Sequence, residues 1–251
     1  MKNILFFIPN IERGGIEKNL LILSNYLTKK NYNTEVICSK ISKEVRNRLN
    51  NKVKIIKCKK YINLPFFSAR VINSINAFIY CLFFYQTKNQ QIVLSMQDHP
   101  FSIIVCKFKN LPCILRIANH PHGSLKFYNN IFNNFLKKSI KKFFYFFSSG
   151  IICNSNSSTN YLKKIFKNKK IITIYNPIEV KFYKNKKISN NKISVGRLEK
   201  QKNFYGLIKA FKKVTLKYKN IKLIIVGSGS EEKRLKNLSK KLKIYKKIIF
   251  N

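Results

Sequence analysis

The residues best suited to chemistry are Arg197 and Lys202, which stand where a strand-like run gives way to a helix-like one in ISVGRLEKQKNFYGLIKAF, residues 193–211. Ile193 and Val195 share one face of the strand, and Gly196 can adopt the positive φ that turns a chain sharply out of a sheet. Phe204, Leu207, Ile208, Phe211, Val214 and Tyr218 then recur at three- and four-residue spacing, so a helix begins near Asn203, a residue type suited to the N-cap. The unpaired N–H groups and positive dipole end of such a helix favour an anion. An Arg and a Lys beside them make a clamp for a diphosphate. The competing reading is that both cations are simply solvated, since one residue in five of this chain is Lys or Arg.

Three other stretches could bear on a ligand. Gly14-Gly15 separates the first strand from the first helix, where glycines let backbone approach a ligand at the C-terminal edge of a parallel sheet, although any tight turn uses them too. Gly227-Ser228-Gly229-Ser230-Glu231-Glu232 joins a strand to a helix, with Ser228 and Glu231 spaced as a capping box. Arg116-Ile117-Ala118-Asn119-His120-Pro121-His122 closes another strand, on the side of the sheet where ligands sit. His120 is the first choice there and Asn119 the second. His99, beyond the strand Gln91–Ser95, is a rival, and each lone His also reads as an exposed loop residue.

These candidates need strands and helices to hold them, and the chain supplies the two in alternation, the mark of an α/β fold with a parallel sheet. The apolar run 4–8 suits a strand buried on both faces. A helix with Ile16, Leu20, Leu23 and Leu27 on one stripe follows. Further strands are predicted at 34–38, 53–58, 91–95, 113–117, 150–154 and 171–175, with helices between most of them. A helix over about 125–147 would place Tyr128, Phe132, Leu136, Ile140, Phe143 and Phe147 on one face, beside Lys137, Lys138, Lys141 and Lys142. That face reads as a core stripe in preference to a membrane-surface one. Asn176-Pro177 ends this series, because proline disfavours helix before it and cannot extend a sheet interior. A polar linker follows. The second series adds a strand at 222–226, a helix over about 230–243 and a short strand at 248–250.

Composition bounds the remaining possibilities. The 251 residues can bury one large core or two modest ones, and 45% apolar content marks a globular chain. The formal charge of +42, with Asp98 the only aspartate, implies salt-dependent attraction to anionic surfaces such as phospholipid head groups and polyphosphates. Lys, Asn, Ile, Phe and Tyr share AT-rich codons, so genome composition accounts for part of the lysine excess and weakens the case for nucleic acid. Six cysteines without a C-x-x-C pair read as small buried hydrophobes in a reducing cytoplasm. The longest apolar stretches, 71–85 and 143–153, are interrupted and shorter than the roughly 20 residues that span a bilayer.

VGRLEKQKNFYGLIKAF resembles the start of the C-terminal domain in retaining, GT-B-fold glycosyltransferases of family 4, whose pattern runs V-G-R-L, a variable stretch, K, and a helix reading L-I-x-A-F. The resemblance implies that Arg197 and Lys202, with the helix start at Asn203, hold the diphosphate of a nucleotide-sugar donor. RGGIEKNLLILSNYL is similar to the family's G-G-x-E-[RK] opening, which implies that Gly14, Gly15 and Glu17 form a loop facing the acceptor and the donor phosphates, in one cleft with Arg197. Gly227 and Gly229 match a V-G-x-G turn near the nucleotide. Asn176-Pro177-Ile178-Glu179 matches the N-P-[IV]-[DE] before the domain linker. Many family members carry a functional His or an R-x-x-N after the strand that Arg116 closes here, which implies catalytic roles for His120 and Asn119.

The implied fold is GT-B-like: a Rossmann-like, acceptor-side domain with a parallel sheet over 1–178, a linker over 179–191, and an incomplete, donor-side Rossmann-like domain over 192–251. Family members go on to an E-G-[FL]-G stretch and an E-x7-E motif whose glutamates contact donor sugar and ribose. Neither occurs up to Asn251, so the resemblance implies a C-terminally truncated member with impaired activity and weak nucleotide binding. The implied reaction moves a sugar from a nucleotide diphosphate to a glycan or lipid-linked acceptor in cell-envelope polysaccharide or lipopolysaccharide synthesis. It needs no cofactor, and no D-x-D metal motif is present. The implied location is the cytoplasm, with peripheral binding to the anionic cytoplasmic face of the inner membrane. Two alternatives are a non-catalytic remnant that binds acceptor or membrane, and a basic nucleic-acid-binding protein, for which no specific motif appears.

Overall fold

The computed structural model describes residues 2–12, 14–63, 66–97, 100–120, 139, 142–178 and 191–251. The chain divides into two compact units, Met1–Glu179 and Val180–Asn251. The expected linker, apart from Asn191, lies outside the described residues. So does most of the helix expected over 125–147, of which 139 and 142–147 are described and helical.

In chain order the first unit contains β1 (Asn3–Phe7), β2 (Asn10–Ile11), α1 (Gly15–Lys29), β3 (Asn33–Cys38), β4 (Lys40–Ile41), α2 (Lys43–Arg48), β5 (Lys54–Lys57) and α3 (Ala69–Ile79). It continues with β6 (Gln91–Ser95), α4 (Pro100–Phe108), β7 (Cys113–Ile117), β8 (Gly150–Cys153), α5 (Asn156–Ile165) and β9 (Ile171–Thr173). The large sheet has the order β5-β3-β1-β6-β7-β8-β9, and every pairing in it is parallel. The chain winds outward from β1 to β5, then restarts at β6 on the other side of β1, so the topological switch lies between β1 and β6. In open sheets of this kind ligands bind at the strand C-termini beside the switch.

Residue alternation on β1 explains its uninterrupted apolar run. Leu5 and Phe7 enter one core cluster with Leu115 and Ile151, while Phe6 and Ile8 enter another with Leu20 and Leu21 of α1. Helices cover both faces, so no position from Ile4 to Ile8 is left for a polar residue. All six cysteines are buried within the structure, as small apolar residues are. The short parallel pair of β2 and β4, and α2, leave no signature in the sequence, since two-residue strands and a six-residue helix fall below the reach of periodicity.

One buried acid breaks the apolar pattern. Glu35 of β3 is 2% exposed and accepts a hydrogen bond from the Tyr85 hydroxyl at 2.6 Å. Lys88 Nζ lies 2.9 Å from its other oxygen and Lys54 Nζ 3.6 Å. Burial alone pushes this carboxyl up, but the Tyr85 hydrogen bond and the two ammonium groups outweigh it and hold the pKa below the usual value. Glu35 pairs in register with Leu5 and Lys54, in the N-terminal half of its strand, away from the ligand edge.

The second unit contains β10 (Lys192–Val195), α6 (Phe204–Lys217), β11 (Leu223–Val226), α7 (Glu232–Lys241) and β12 (Ile248–Phe250). Its sheet is parallel in the order β10-β11-β12. Leu223, Ile225 and Ile248 face a core with Phe204, Ile208 and Phe211 of α6 and Leu235 of α7. The register places Ile193, Val195 and Ile249 on the opposite face, and all three are exposed. The stripe of Ile193 and Val195 noted in the sequence is therefore a real strand face that no described residue covers.

Candidate functional site

The second unit builds its candidate site from the segments that follow β10 and β11. After Gly196 and Arg197, Leu198 is fully buried and Lys200–Lys202 form a single 3-10 turn. Asn203 then takes a left-handed conformation, φ 51° and ψ 40°, and its Oδ1 accepts from the Gly206 N–H at 3.2 Å. Asn tolerates this conformation because its short side chain bonds locally, so one residue both turns the chain and caps α6. Arg197 and Lys202 are exposed, and neither side chain has a hydrogen-bond or ion-pair partner among the described residues. The fold thus spends its polar contacts here on the helix start and leaves both cations uncommitted.

Gly227 and Gly229 have a structural reason to be glycine. The N–H of Leu198 donates to Ser228 O at 2.9 Å, that of Glu231 to Leu198 O at 2.9 Å, and that of Gly196 to Val226 O at 3.0 Å. The two loops therefore run backbone against backbone. A Cβ on Gly229 would lie 2.5 Å from Leu198 O, and Gly227 has a φ of 140° that side chains resist. The capping box expected of Ser228 and Glu231 does not form. Glu231 stands at the N-cap of α7 without a side-chain cap and instead accepts from Arg234 at 3.0 Å, while Ser230 donates to Glu199 at 2.9 Å. A short backbone route through Leu198 already closes this turn, so the serine is not needed for it.

A concavity in the same unit is lined by Glu199, Lys200, Asn203, Tyr205, Glu231 and Arg234, among others. The Arg234 guanidinium lies 5.4 Å from the Tyr205 ring centre and Lys209 Nζ 4.6 Å. Neither Tyr205 nor Arg234 stands out in the sequence, because nothing in their spacing separates them from the other aromatic and basic residues.

In the first unit, parallel pairing brings the C-termini of β1, β6, β7, β8 and β9 to one edge. Gly14 is extended, and Gly15 opens α1. Among the described residues, a Cβ on Gly15 would meet nothing within 4 Å, and one on Gly14 would meet only the flexible end of Glu17. Backbone geometry does not demand glycine at either place; it leaves open space beside the switch point. Glu17 sits in the first turn of α1, where the helix dipole favours a carboxylate.

Beyond β7, Asn119 is exposed and His120 half-buried, with its ring 5.5 Å from that of Tyr161. Asn154 Nδ2 donates to Ala118 O at 2.6 Å and ties the ends of β7 and β8 together. Arg116, within β7, is buried, and its Nη2 donates to Asn176 Oδ1 at 2.6 Å. Asn176 thus acts through its side chain as well as through its place before Pro177. Asp98, His99 and His122 lie outside the described residues.

Comparison with known proteins agrees with this architecture. The profile described as Glycosyltransferase Family 4 matches residues 13–182, and the one described as Glycosyl transferases group 1 matches 178–251. An uncharacterized glycosyltransferase of Haemophilus influenzae is 31% identical over 259 aligned positions, covering 100% of this chain and 69% of that protein. The chain belongs to Glycosyltransferase Family 4. Among solved structures, this family 4 chain superposes on Staphylococcus aureus TarM, in complex with fondaparinux, α-GlcNAc-glycerol and UDP, with a TM-score of 0.73 at 11% identity, covering 100% of this chain and 77% of TarM. WaaG, a glycosyltransferase involved in lipopolysaccharide biosynthesis, gives 0.68 at 10% identity, covering 99% and 69%. At such identities the likeness is one of fold. The family 4 chain is accordingly a glycosyltransferase of the GT-B type.

Proposed function

We propose that this glycosyltransferase moves a sugar, with retention, from a nucleotide diphosphate to a glycan or lipid-linked acceptor in cell-envelope polysaccharide or lipopolysaccharide assembly. The observation that carries the reading is the pair of exposed, unpartnered cations, Arg197 and Lys202, beside the capped N-terminus of α6 at Asn203. Cleaving a sugar from its diphosphate builds negative charge on the leaving oxygen, and preset cations lower the energy of that state more than that of the bound donor. Gly227 and Gly229 keep the neighbouring loop thin, which suits a nucleotide lying close by. Gly14, Gly15 and Glu17 form the phosphate-facing loop of the acceptor-side unit, and His120 and Asn119 are the groups at the reacting hydroxyl. The UDP held by TarM and the lipopolysaccharide role of WaaG support the donor and pathway classes.

Calorimetry with UDP and several UDP-sugars, combined with Arg197→Ala and Lys202→Ala, tests the reading. Charge-assisted contacts contribute about 1.5–3 kcal/mol each, so the double variant should bind more than tenfold more weakly. Binding unchanged by both substitutions overturns it. A wild-type chain that binds acceptor but no nucleotide favours the non-catalytic alternative.

A second observation bears on where the enzyme works. Phe143, Phe146 and Phe147 of the helical turn 142–147 are exposed, and Phe108 at the end of α4 is 73% exposed. Lys107 Nζ lies 5.6 Å from the Phe147 ring, so the two elements form one aromatic and basic patch. No Asp or Glu occurs between Asp98 and Glu179. Rings that enter a head-group layer beneath lysines that pair with its charge would hold the chain peripherally on an anionic bilayer. No helix among the described residues is long and apolar enough to cross one.

A further inference from the structure

Arg116 is an expensive residue to keep where it is. It lies near the end of β7, in register with Ile152 of β8, and is 5% exposed. Alternation puts it on the face of Ile114, which packs against the core cluster that holds Leu20 and Leu21 of α1, so Arg116 shares a sheet face with the helix that Gly15 opens. Asn176 accepts from Nη2, but Nη1 is buried with no hydrogen-bond partner, and no carboxylate pairs with this group among the described residues. Burial also pulls its pKa below the ordinary value, as expected of a cation without a counter-ion. A buried, unpaired charge destabilises a fold, and an apolar side chain of similar length often packs more favourably in its place. One half of the guanidinium fork is therefore fixed by Asn176 and the other is buried without a hydrogen-bond partner, toward the ligand edge of the sheet.

We infer that Arg116 is the receptor for an oxyanion on the acceptor, so that the acceptor is a phosphate-bearing or acidic sugar rather than a neutral one. A guanidinium held by one nitrogen offers its remaining N–H groups in a fixed orientation, which suits a carboxylate or phosphate oxygen. Reaching Nη1 takes a local opening at the strand ends, whose cost is offset once the charge is paired. The inference rests on the acceptor-side role proposed for the first unit, and it is independent of the donor contacts in the second.

The test compares glucose 1-phosphate and glucuronate with neutral methyl glucoside as probes of the full chain by calorimetry, with UDP titrated in parallel. The wild type should bind at least one acidic probe tenfold or more tighter than the neutral one, and which probe is preferred tells phosphate from carboxylate. Arg116→Met should abolish the preference, leave UDP affinity unchanged, and leave the melting temperature unchanged or raised. Should that variant fail to fold, Arg116→Gln, which can still donate to Asn176, should show the same loss. No acidic preference in the wild type, or a preference that survives in the variant, overturns the inference and reduces Arg116 to a tie for Asn176. Loss of UDP binding in the wild type would count against the donor reading instead, without touching this one.

Discussion

A Cβ placed on Gly227 would lie 2.0 Å from the carbonyl oxygen of Gly196. The loops after β10 and β11 are thus in backbone contact, and the φ of 140° at Gly227 adds a second obstacle to any side chain. Relief requires the two loops to part and gives up hydrogen bonds through Leu198. Gly227→Ala should destabilise the second unit by more than about 2 kcal/mol, in the range for strained backbone and overpacking. Thermal or urea unfolding of the variant measures this, and an unchanged midpoint would show that the loops are not locked together.

Gly15 is expected to behave in the opposite way. With open space where its Cβ would be, Gly15→Val should change stability by no more than about 1 kcal/mol, the scale of helix propensity. The branched side chain would fill space beside the switch point, so ligand affinity should fall at least tenfold. Equal losses in melting and in titration would reduce the glycine to a turn former.

Glu35 predicts a pH dependence of folding. Its pKa is lower in the folded chain than in the unfolded one, so the stability it contributes is fully present above the unfolded carboxylate value and is lost as pH falls through the folded one. Glu35→Gln removes the charge that Lys88 and Lys54 face and should cost about 1–3 kcal/mol at neutral pH. The gap between variant and wild type should close in acid. Parallel denaturation curves at neutral and acidic pH check this, and a constant gap would mean that the ion pairs do not matter.

The aromatic patch predicts salt-sensitive binding to vesicles rich in phosphatidylglycerol. Each lysine near such a surface contributes about 1 kcal/mol, and burying an exposed Phe contributes about 1.5–3 kcal/mol. Replacing Phe143 and Phe146 together by Ser should weaken sedimentation with vesicles more than tenfold while leaving the melting temperature near that of the wild type, because both rings are exposed. Binding that ignores salt, or that survives the double replacement, would remove the membrane reading.

Most of the local structure was legible in the chain itself. The apolar run 4–8 became a strand because a residue in the middle of a two-sided core has no wet face on which to be polar, and the mostly apolar stretches 91–95 and 113–117 followed it into the same sheet. Asn203 became a cap, and the stripe from Phe204 to Phe211 became the buried face of α6, because spacing and capping act within one turn of chain. What only tertiary structure decided involves residues far apart in sequence. The strand order β5-β3-β1-β6-β7-β8-β9 sets which ends become neighbours, and through it Arg116 reaches Asn176. Glu35 finds Tyr85 and Lys88 only once β3 and the segment before β6 flank β1. The glycine at 227 is explained by a carbonyl at 196. A periodic pattern reports which face of an element is dry, but a single polar or glycine contact across the fold leaves no period, so it is settled by the packing of whole elements.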